Sequence, residues 1–210
     1  MTIGGAVVAG TNSGTGTLEK SGSIRSANEI GSIAVLGDLR GNATADVSIT
    51  AKSAPPGGKL PTIGAITVGG NVERANILAG YDTATVATDG SASIGKVSVL
   101  GDWVASNLIA GFAAGGDGKF GTSDDTRIGT PLIASKIASI TILGQVSGTA
   151  ANPGTPTDPV NSDSFAFEAS NIGLVKLGLV TLPLAVALNT DHYLLSYTTG
   201  QDVIVKETFI

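Results

Sequence analysis

The chain has 210 residues and a formal net charge of −5, with only 14% charged residues, 4% aromatic residues and no cysteine. Without cysteine, the protein has no disulfides, no thiolate metal sites and no cysteine nucleophile. The 12 Lys and Arg residues form no cluster, which argues against nucleic-acid binding. The longest apolar run covers residues 179–188 and is too short to cross a bilayer, so we expect no membrane span.

Glycine is the other compositional signal, at 30 of 210 residues, about twice its usual share. Because aromatic side chains are few, the core must be built from Ile, Val, Leu and Ala. Abundant small residues with few charges favour closely stacked strands and many turns over helices with charged outer faces. The composition therefore predicts an all-β fold.

An eight-residue pattern recurs along the chain: I-G-x-h-x-V-x-G, with h an apolar residue. Its copies begin at Ile3, Ile30, Ile63 and Ile94, and weaker copies begin at Ile137 and Ile172. A repeat with a period of about 20–50 residues is typical of stacked arrays, in which each unit contacts only its neighbours.

Each copy of the pattern predicts a short strand. The first, fourth and sixth positions are apolar, as at Ile63, Ile66 and Val68, and the spacing of the last two places their side chains on one face. The glycine at the second position predicts a bend after the first inward residue. A second apolar segment follows the final glycine, and in the two copies that align best it begins with Asn76 or Asn107, which predicts a second strand leaving a turn.

The repeat units differ mainly in their loops, at residues 52–62, 83–93, 115–136 and 150–162. Solenoids tolerate such insertions of variable length. We therefore predict a right-handed parallel β-helix in which Ile and Val form ladders between stacked units. A β-sandwich of short strands is the alternative, but its strands occupy unlike environments, and near-identical repeats do not suit them.

The tail from Pro183 leaves the repeat pattern. It contains two predicted strands, at residues 193–197 and 202–209, separated by a Thr-Thr-Gly turn. Because the exposed end of a solenoid needs a cap, we assign residues 1–182 to a repeat β-helix domain and residues 183–210 to a C-terminal capping segment of that domain. An uncapped end can pair with another copy, so we expect a monomer or an end-to-end dimer.

Residues 115–125, GGDGKFGTSDD, are the best candidate for a binding site. Calcium is bound by six to eight oxygen atoms, and a glycine-rich loop with aspartates at both ends can fold such oxygens around one ion. We therefore predict a metal site formed by Asp117, Asp124 and Asp125, with calcium as the cofactor. The loop is not an EF-hand, because the required Asp spacing and final Glu are missing. The alternative is a solvated turn.

Two other sets of side chains are candidates for carbohydrate contact. Tyr81, Trp103 and Phe112 lie in equivalent segments of two units; an exposed row of these rings would stack on sugars, and the alternative is that they fill the core. Asp38 and Asp102 follow the repeat glycine, and stacking would align them in a polar ladder with the asparagine of the unit between. This ladder would either support turns or supply the carboxylates of a polysaccharide-cleaving site.

Residues 80–82 (GYD), residues 115–125 and the strand pattern together resemble the repeat regions of very large predicted exoproteins of planctomycetes and related bacteria. In that family an AG(Y/F)D element, a DGxFGTxDD loop and an IGxhxVxG strand alternate many times. The resemblance implies a secreted or surface-attached β-helix at the C-terminal end of a longer protein, a loop suspected of binding calcium, and no established enzymatic activity. This chain departs from the family pattern in having one full aspartate loop.

From these observations we expect a non-catalytic structural or adhesive module of a bacterial protein that is secreted or held at the cell surface. Surface glycans or other copies of the chain are the expected partners. The alternative is a carbohydrate-active β-helix, either a polysaccharide lyase or hydrolase or a glycan-binding module. That alternative requires a groove lined by Asp with Lys or Arg and by exposed aromatic rings. No catalytic residue stands out in the sequence.

Overall fold

A computed structural model of the protein describes residues 1–14, 18, 20–53, 61–130, 132–149, 164–185, 191–195 and 203–208. Within these residues the chain consists of short β-strands joined by turns and contains no helix. In chain order the strands are β1 (Thr2–Ile3), β2 (Val7–Val8), β3 (Ser23–Ser26), β4 (Ile30–Val35), β5 (Leu39–Arg40), β6 (Val47–Ala51), β7 (Ile63–Val68), β8 (Val72–Glu73), β9 (Ala75–Ala79), β10 (Ser93–Val99), β11 (Trp103–Val104), β12 (Asn107–Ala110), β13 (Phe112–Ala113), β14 (Thr126–Arg127), β15 (Lys136–Ile142), β16 (Val146–Ser147), β17 (Phe165–Ala169), β18 (Asn171–Ile172), β19 (Val175–Leu177), β20 (Val180–Thr181), β21 (His192–Leu194) and β22 (Val203–Glu207).

Three sheets are built from strands of successive repeat units, and β13 and β14 form a separate two-stranded hairpin. The first sheet has the order β1-β4-β7-β10-β15-β19-β20, with β18 also paired to β15. The second has the order β16-β11-β8-β5-β2, and the third has the order β21-β22-β17-β12-β9-β6-β3. From β1 to β12, and again from β15 to β17, successive strands enter the first, second and third sheet in turn, so parallel neighbours in these parts of the sheets are one repeat unit apart.

Nearly all strand pairs in the three sheets are parallel; the exceptions are β19 with β20 and β21 with β22. The predicted all-β fold with parallel strands is therefore confirmed. Parallel pairing does not fit the antiparallel sheets of a β-sandwich, which was the alternative. It is compatible with a parallel β-helix.

The inward residues of the repeat stack in rows. Ile33, Ile66, Val97 and Ile140 are register partners from one unit to the next, and each is at most 1% exposed. The sixth position forms a matching row of Val35, Val68, Val99 and Ile142. The predicted inner face of the repeat strand is thus confirmed for the copies that begin at Ile30, Ile63, Ile94 and Ile137. The copy predicted at Ile3 is wrong in register, because Ile3 pairs with Val35, the sixth position of the next copy. Each fully buried side chain of this kind contributes about 1.5–3 kcal/mol of burial free energy.

The glycine at the second position of the repeat does not mark a bend. Strand β7 runs through Gly64, and a Cβ atom there would lie 2.0 Å from the carbonyl oxygen of Gly31 in the preceding unit. At Gly95 the corresponding distance, to the carbonyl oxygen of Gly64, is 1.7 Å. Glycine is needed here because the backbones of adjacent units approach closely. The bend that the sequence analysis predicted at this position was therefore wrong.

The outer face of the third sheet carries a second apolar cluster. Register aligns Thr50, Leu78, Ile109, Glu168 and Lys206 in one outward-facing row. The loops after β9 and β12 fold back over this row. They complete an outer cluster consisting of Leu78, Tyr81, Ile109, Phe112, Phe120, Ala166 and Ile204. Two of the loops predicted from the sequence therefore cover a sheet, while residues 54–60 and 150–163, in the other two, lie outside the described residues.

The two ends of the stack differ. At the C-terminal end, β22 pairs in parallel with β17 and is flanked by the antiparallel strand β21. These are the two strands predicted in the tail, and the turn predicted between them lies outside the described residues. At the other end Ile3, Val7 and Ile24 are only partly buried, although their partners in the next unit are fully buried. Within the described part of the chain, no helix is long and apolar enough to cross a membrane.

Candidate functional site

The aspartate loop, residues 115–125, is closed by a short antiparallel hairpin of β13 and β14. Two of its three predicted metal ligands bond the loop itself. The Oδ1 atom of Asp117 accepts a hydrogen bond from the Lys119 amide at 2.8 Å. The Asp124 carboxylate accepts one from the Thr122 hydroxyl at 2.6 Å and one from the Asp117 amide at 3.3 Å. The Thr122 hydrogen bond is the largest cause of the lowered pKa of Asp124.

The third predicted ligand, Asp125, turns inward toward the sheet. Its side chain is fully buried, and its Oδ2 atom accepts hydrogen bonds from the Gly121 amide at 2.7 Å and from the Lys206 ammonium at 3.0 Å. The same ammonium donates to the Thr122 carbonyl at 2.7 Å and lies 2.9 Å from Oε1 of Glu168. Asp125, Glu168 and Lys206 thus form a buried trio that connects the loop to β17 and β22.

The charges of the buried trio do not balance when all three groups are ionised, since two carboxylates face one ammonium. Burial, together with the charge of Asp125, raises the pKa of Glu168 to about 8, so its carboxyl group holds a proton at neutral pH. Burial disfavours the Lys206 charge, but the two carboxylates outweigh it and raise the pKa of Lys206. Burial also raises the pKa of Tyr81, with help from the charges of Asp125 and Glu168.

The three predicted calcium ligands therefore do not converge on one point, and no group of three His, Cys, Asp or Glu side chains suited to a metal occurs among the described residues. The calcium site at Asp117, Asp124 and Asp125 stays a prediction. Sequence reasoning missed Glu168 and Lys206. The available signal was that each charge follows apolar residues within a strand: Glu168 is the one charge in FAFEA, and Lys206 precedes Glu207 in VIVKE.

The predicted polar ladder does form at the corner between the first and second sheets. Oδ1 of Asp38 accepts a hydrogen bond from the Asn71 amide, Oδ1 of Asn71 accepts one from the Asp102 amide, and Oδ1 of Asp102 accepts one from the Gln145 amide, each at 2.8 Å. This corner ladder joins one unit to the next through side-chain-to-backbone bonds. The geometry is that of turn support, the first of the two roles considered from the sequence.

The aromatic row proposed for sugar stacking does not form. Trp103 is fully buried, donates from its ring nitrogen to the Ser106 carbonyl at 3.0 Å and packs edge-to-face on Phe167. Tyr81 and Phe112 are 5% and 1% exposed within the outer cluster. These three rings fill the two cores, which is the alternative considered from the sequence.

A polar cleft of ≈ 220 Å³ opens beside the aspartate loop. Its lining consists of Asp46, Asn76, Asn107, Gly118, Lys119, Phe120, Ser164 and Phe165. Asn107 donates an amide hydrogen bond to Oδ1 of Asn76 at 2.8 Å, and Asn76 donates one to Oδ2 of Asp46 at 3.0 Å. The sequence placed Asn76 and Asn107 at the start of strands but did not predict the cleft, because its walls come from five separate segments.

No family model matches this chain. Comparison with the curated proteins and with the solved structures found no match either.

Proposed function

We propose that the chain is a right-handed parallel β-helix that serves as a non-catalytic structural or adhesive module of a secreted or surface-held bacterial protein. The rotation of the chain through three parallel sheets supports the β-helix. Its right-handed sense follows from the handedness of parallel β-crossovers, which are right-handed in about 98% of cases.

The main support for the proposal is the corner ladder, together with the rows of inward-facing Ile and Val side chains. Each polar side chain of the ladder accepts a hydrogen bond from a backbone amide of the next unit. The carboxylates at this corner therefore hold neighbouring units together. A protein whose repeated polar residues all bond the neighbouring unit gains stiffness along the stack. This favours a load-bearing or spacing role.

A carbohydrate-cleaving role is less well supported by the geometry. Glu168 has the raised pKa expected of a general acid, but the side chains of Glu168 and Asp125 are both fully buried under the loop. A polysaccharide cannot reach them without removal of the loop. Asp38 and Asp102, the other candidate pair, already bond backbone amides.

The setting of the module is inferred from the sequence. The resemblance to bacterial exoproteins supports secretion or surface attachment, and the lack of cysteine is consistent with it. Other copies of the chain are one expected partner, since Ile3, Val7 and Ile24 are incompletely covered at one end. Surface glycans are the other.

Two measurements test this function. Incubation with pectin, alginate, xylan and bacterial exopolysaccharides should release no reducing ends above a no-protein control. Product release that Asp38→Asn or Glu168→Gln abolishes would overturn the non-catalytic role.

Pulling the two ends apart in single-molecule force measurements should extend the protein unit by unit. Asn71→Ala leaves the Asp102 amide without its 2.8 Å acceptor and should lower the unfolding force. Thr67→Ala, on the exposed outer face of the first sheet, is the matched control and should leave the force unchanged. Equal forces in all three proteins would contradict the structural role of the corner ladder.

A further inference from the structure

We infer that the polar cleft beside the aspartate loop binds a single ring of a neutral saccharide. This inference rests on the proposed adhesive function and gives it a ligand class and a location.

The polar groups of the cleft are held in fixed orientations before any ligand arrives. Asn107 is 8% exposed, its Oδ1 atom accepts the Ala166 amide at 2.9 Å, and its side-chain amide donates to Asn76. Asn76 in turn donates to Asp46. The direction of each bond fixes which end of each side-chain amide is the donor. Preorganised groups of this kind reduce the entropy that a ligand must lose on binding.

Hydrogen-bonding capacity remains on the cleft side of this chain. Oδ1 of Asp46 and the second N–H of the Asn76 amide have no protein partner among the described residues. The Ser164 hydroxyl lines the same cleft and has none within that part of the chain. The cleft therefore offers a carboxylate acceptor, an amide donor and a hydroxyl that can do both.

This combination matches the chemistry of adjacent hydroxyl groups on a sugar ring. Each sugar hydroxyl both donates and accepts, so one can donate to the Asp46 carboxylate while its neighbour accepts from the Asn76 amide. Hydrogen bonds to an ionised carboxylate are the stronger kind. The Asp46 carboxylate in the lining repels an acidic ligand, so the cleft favours a neutral one.

The volume of the cleft indicates a ligand of one sugar ring. Sites for drug-sized ligands span roughly 300–1,000 Å³, and this cleft is smaller, at ≈ 220 Å³. Among the described residues the cleft is open to solvent, which leaves space for the rest of a glycan chain to extend away. We therefore expect weak binding per ring, strengthened when several modules contact one polysaccharide.

The wall formed by Gly118, Lys119 and Phe120 belongs to the aspartate loop. Phe120 is anchored in the outer cluster, and Asp125 anchors the end of the same loop to Lys206. The role that this structure gives the loop is thus to shape one side of the cleft.

The test is an NMR titration of ¹⁵N-labelled protein with the methyl glycosides of glucose, galactose, mannose and N-acetylglucosamine, and with glucuronic acid as the acidic comparison. At least one neutral glycoside should shift the side-chain amides of Asn76 and Asn107. Asp46→Asn, an isosteric change at an exposed position, and Asn76→Ala should each weaken binding at least tenfold. Thr67→Ala on the first sheet should leave it unchanged.

Absence of shifts at these amides with every neutral glycoside, or tighter binding of glucuronic acid, would overturn the saccharide site. Unchanged binding in Asp46→Asn would overturn the role of its carboxylate. Either of these results would still be consistent with the structural function, provided that no polysaccharide is cleaved and Asn71→Ala lowers the unfolding force. Cleavage of a polysaccharide would instead remove the proposed function itself, so the two failures are distinguishable.

Discussion

Lys206 is the residue on which the covering of the third sheet depends most directly. Its ammonium group contacts three oxygen atoms, one each from Thr122, Asp125 and Glu168, at 2.7–3.0 Å. Of these three residues only Asp125 belongs to the predicted calcium site, and its carboxylate faces this ammonium. The aspartate loop is thereby held by a cation that belongs to the chain.

Replacing this cation should destabilise the protein strongly. Lys206→Met leaves the fully buried Asp125 carboxylate without a compensating charge, and removal of one partner of a buried ion pair costs about 3–5 kcal/mol. Urea denaturation measures the change. Lys96→Met, on the exposed face of β10, is the matched control and should alter the free energy of unfolding by less than about 0.5 kcal/mol. Equal losses in both variants would contradict the role of the buried trio.

Glu168 should make the protein less stable as the pH rises. Its pKa in the folded protein is about 8, above its ordinary value of 4.5, because of burial and the Asp125 charge. The stabilising contribution is fully present below about pH 4.5 and is lost as the pH rises through about 8. The slope in this window approaches about 1.4 kcal/mol per pH unit.

Glu168→Gln isolates this effect, because the amide has the shape of the protonated acid and does not titrate. Urea denaturation between pH 5 and 8 should show the decline in wild type and a much flatter profile in the variant. Burial also raises the pKa of Glu207 and of Asp46 and lowers that of His192; these groups remain in both proteins and contribute to any common slope. Parallel profiles would show that Glu168 does not bind the additional proton.

At the scale of the repeat strand, close contact between units decides where glycine is required. Gly31 and Gly64 occupy the same position of the repeat in successive units. A Cβ atom at Gly64 would overlap the Gly31 carbonyl, whereas a Cβ atom at Gly31 would meet nothing within 4 Å. Ala138 takes this position in the fifth copy, so the requirement is local to the tighter contacts.

The two glycines should therefore respond differently to the same substitution. Gly64→Ala forces adjacent units apart and should cost about 1–3 kcal/mol, the usual range for overpacking, while Gly31→Ala should be near neutral. Thermal unfolding of the two variants measures the difference. A Gly31→Ala variant as unstable as Gly64→Ala would indicate that the glycines serve chain flexibility instead of close approach.

The repeat made much of this element-level structure predictable. Residues with equivalents in successive units, such as Ile66 in the inward row and Asn71 in the corner ladder, were placed correctly because stacking imposes the same environment on each of these copies. The contacts of Lys206 with the aspartate loop are made across 81 and 84 residues of sequence and occur once. A repeat pattern contains no signal for contacts of this kind. The pattern therefore could not predict that the loop folds onto the third sheet or that a cleft lies beside it.

For the whole molecule, the contrast between the two ends bears on self-association. Strands β1, β2 and β3 all lie at the same end of their sheets. The inward residue Ile24 is only partly buried there, whereas its register partner Ile49 is fully buried. In the 210-residue chain, a strand edge with partly buried apolar side chains behind it is prone to pair with another copy. The end-to-end dimer proposed above would cover this end.

Sedimentation velocity over a range of protein concentrations measures this association, and we expect a monomer–dimer equilibrium. Val8→Lys places a charge on edge strand β2, at a side chain that is 57% exposed, and should shift the equilibrium to monomer, since edge lysines oppose strand pairing. Leu100→Lys is the matched control: its side chain is 56% exposed but lies beside the middle of the stack. If Leu100→Lys abolishes dimers and Val8→Lys does not, contact occurs along the side of the stack, through the exposed leucines that follow the first-sheet strands. The end-to-end arrangement would then be wrong.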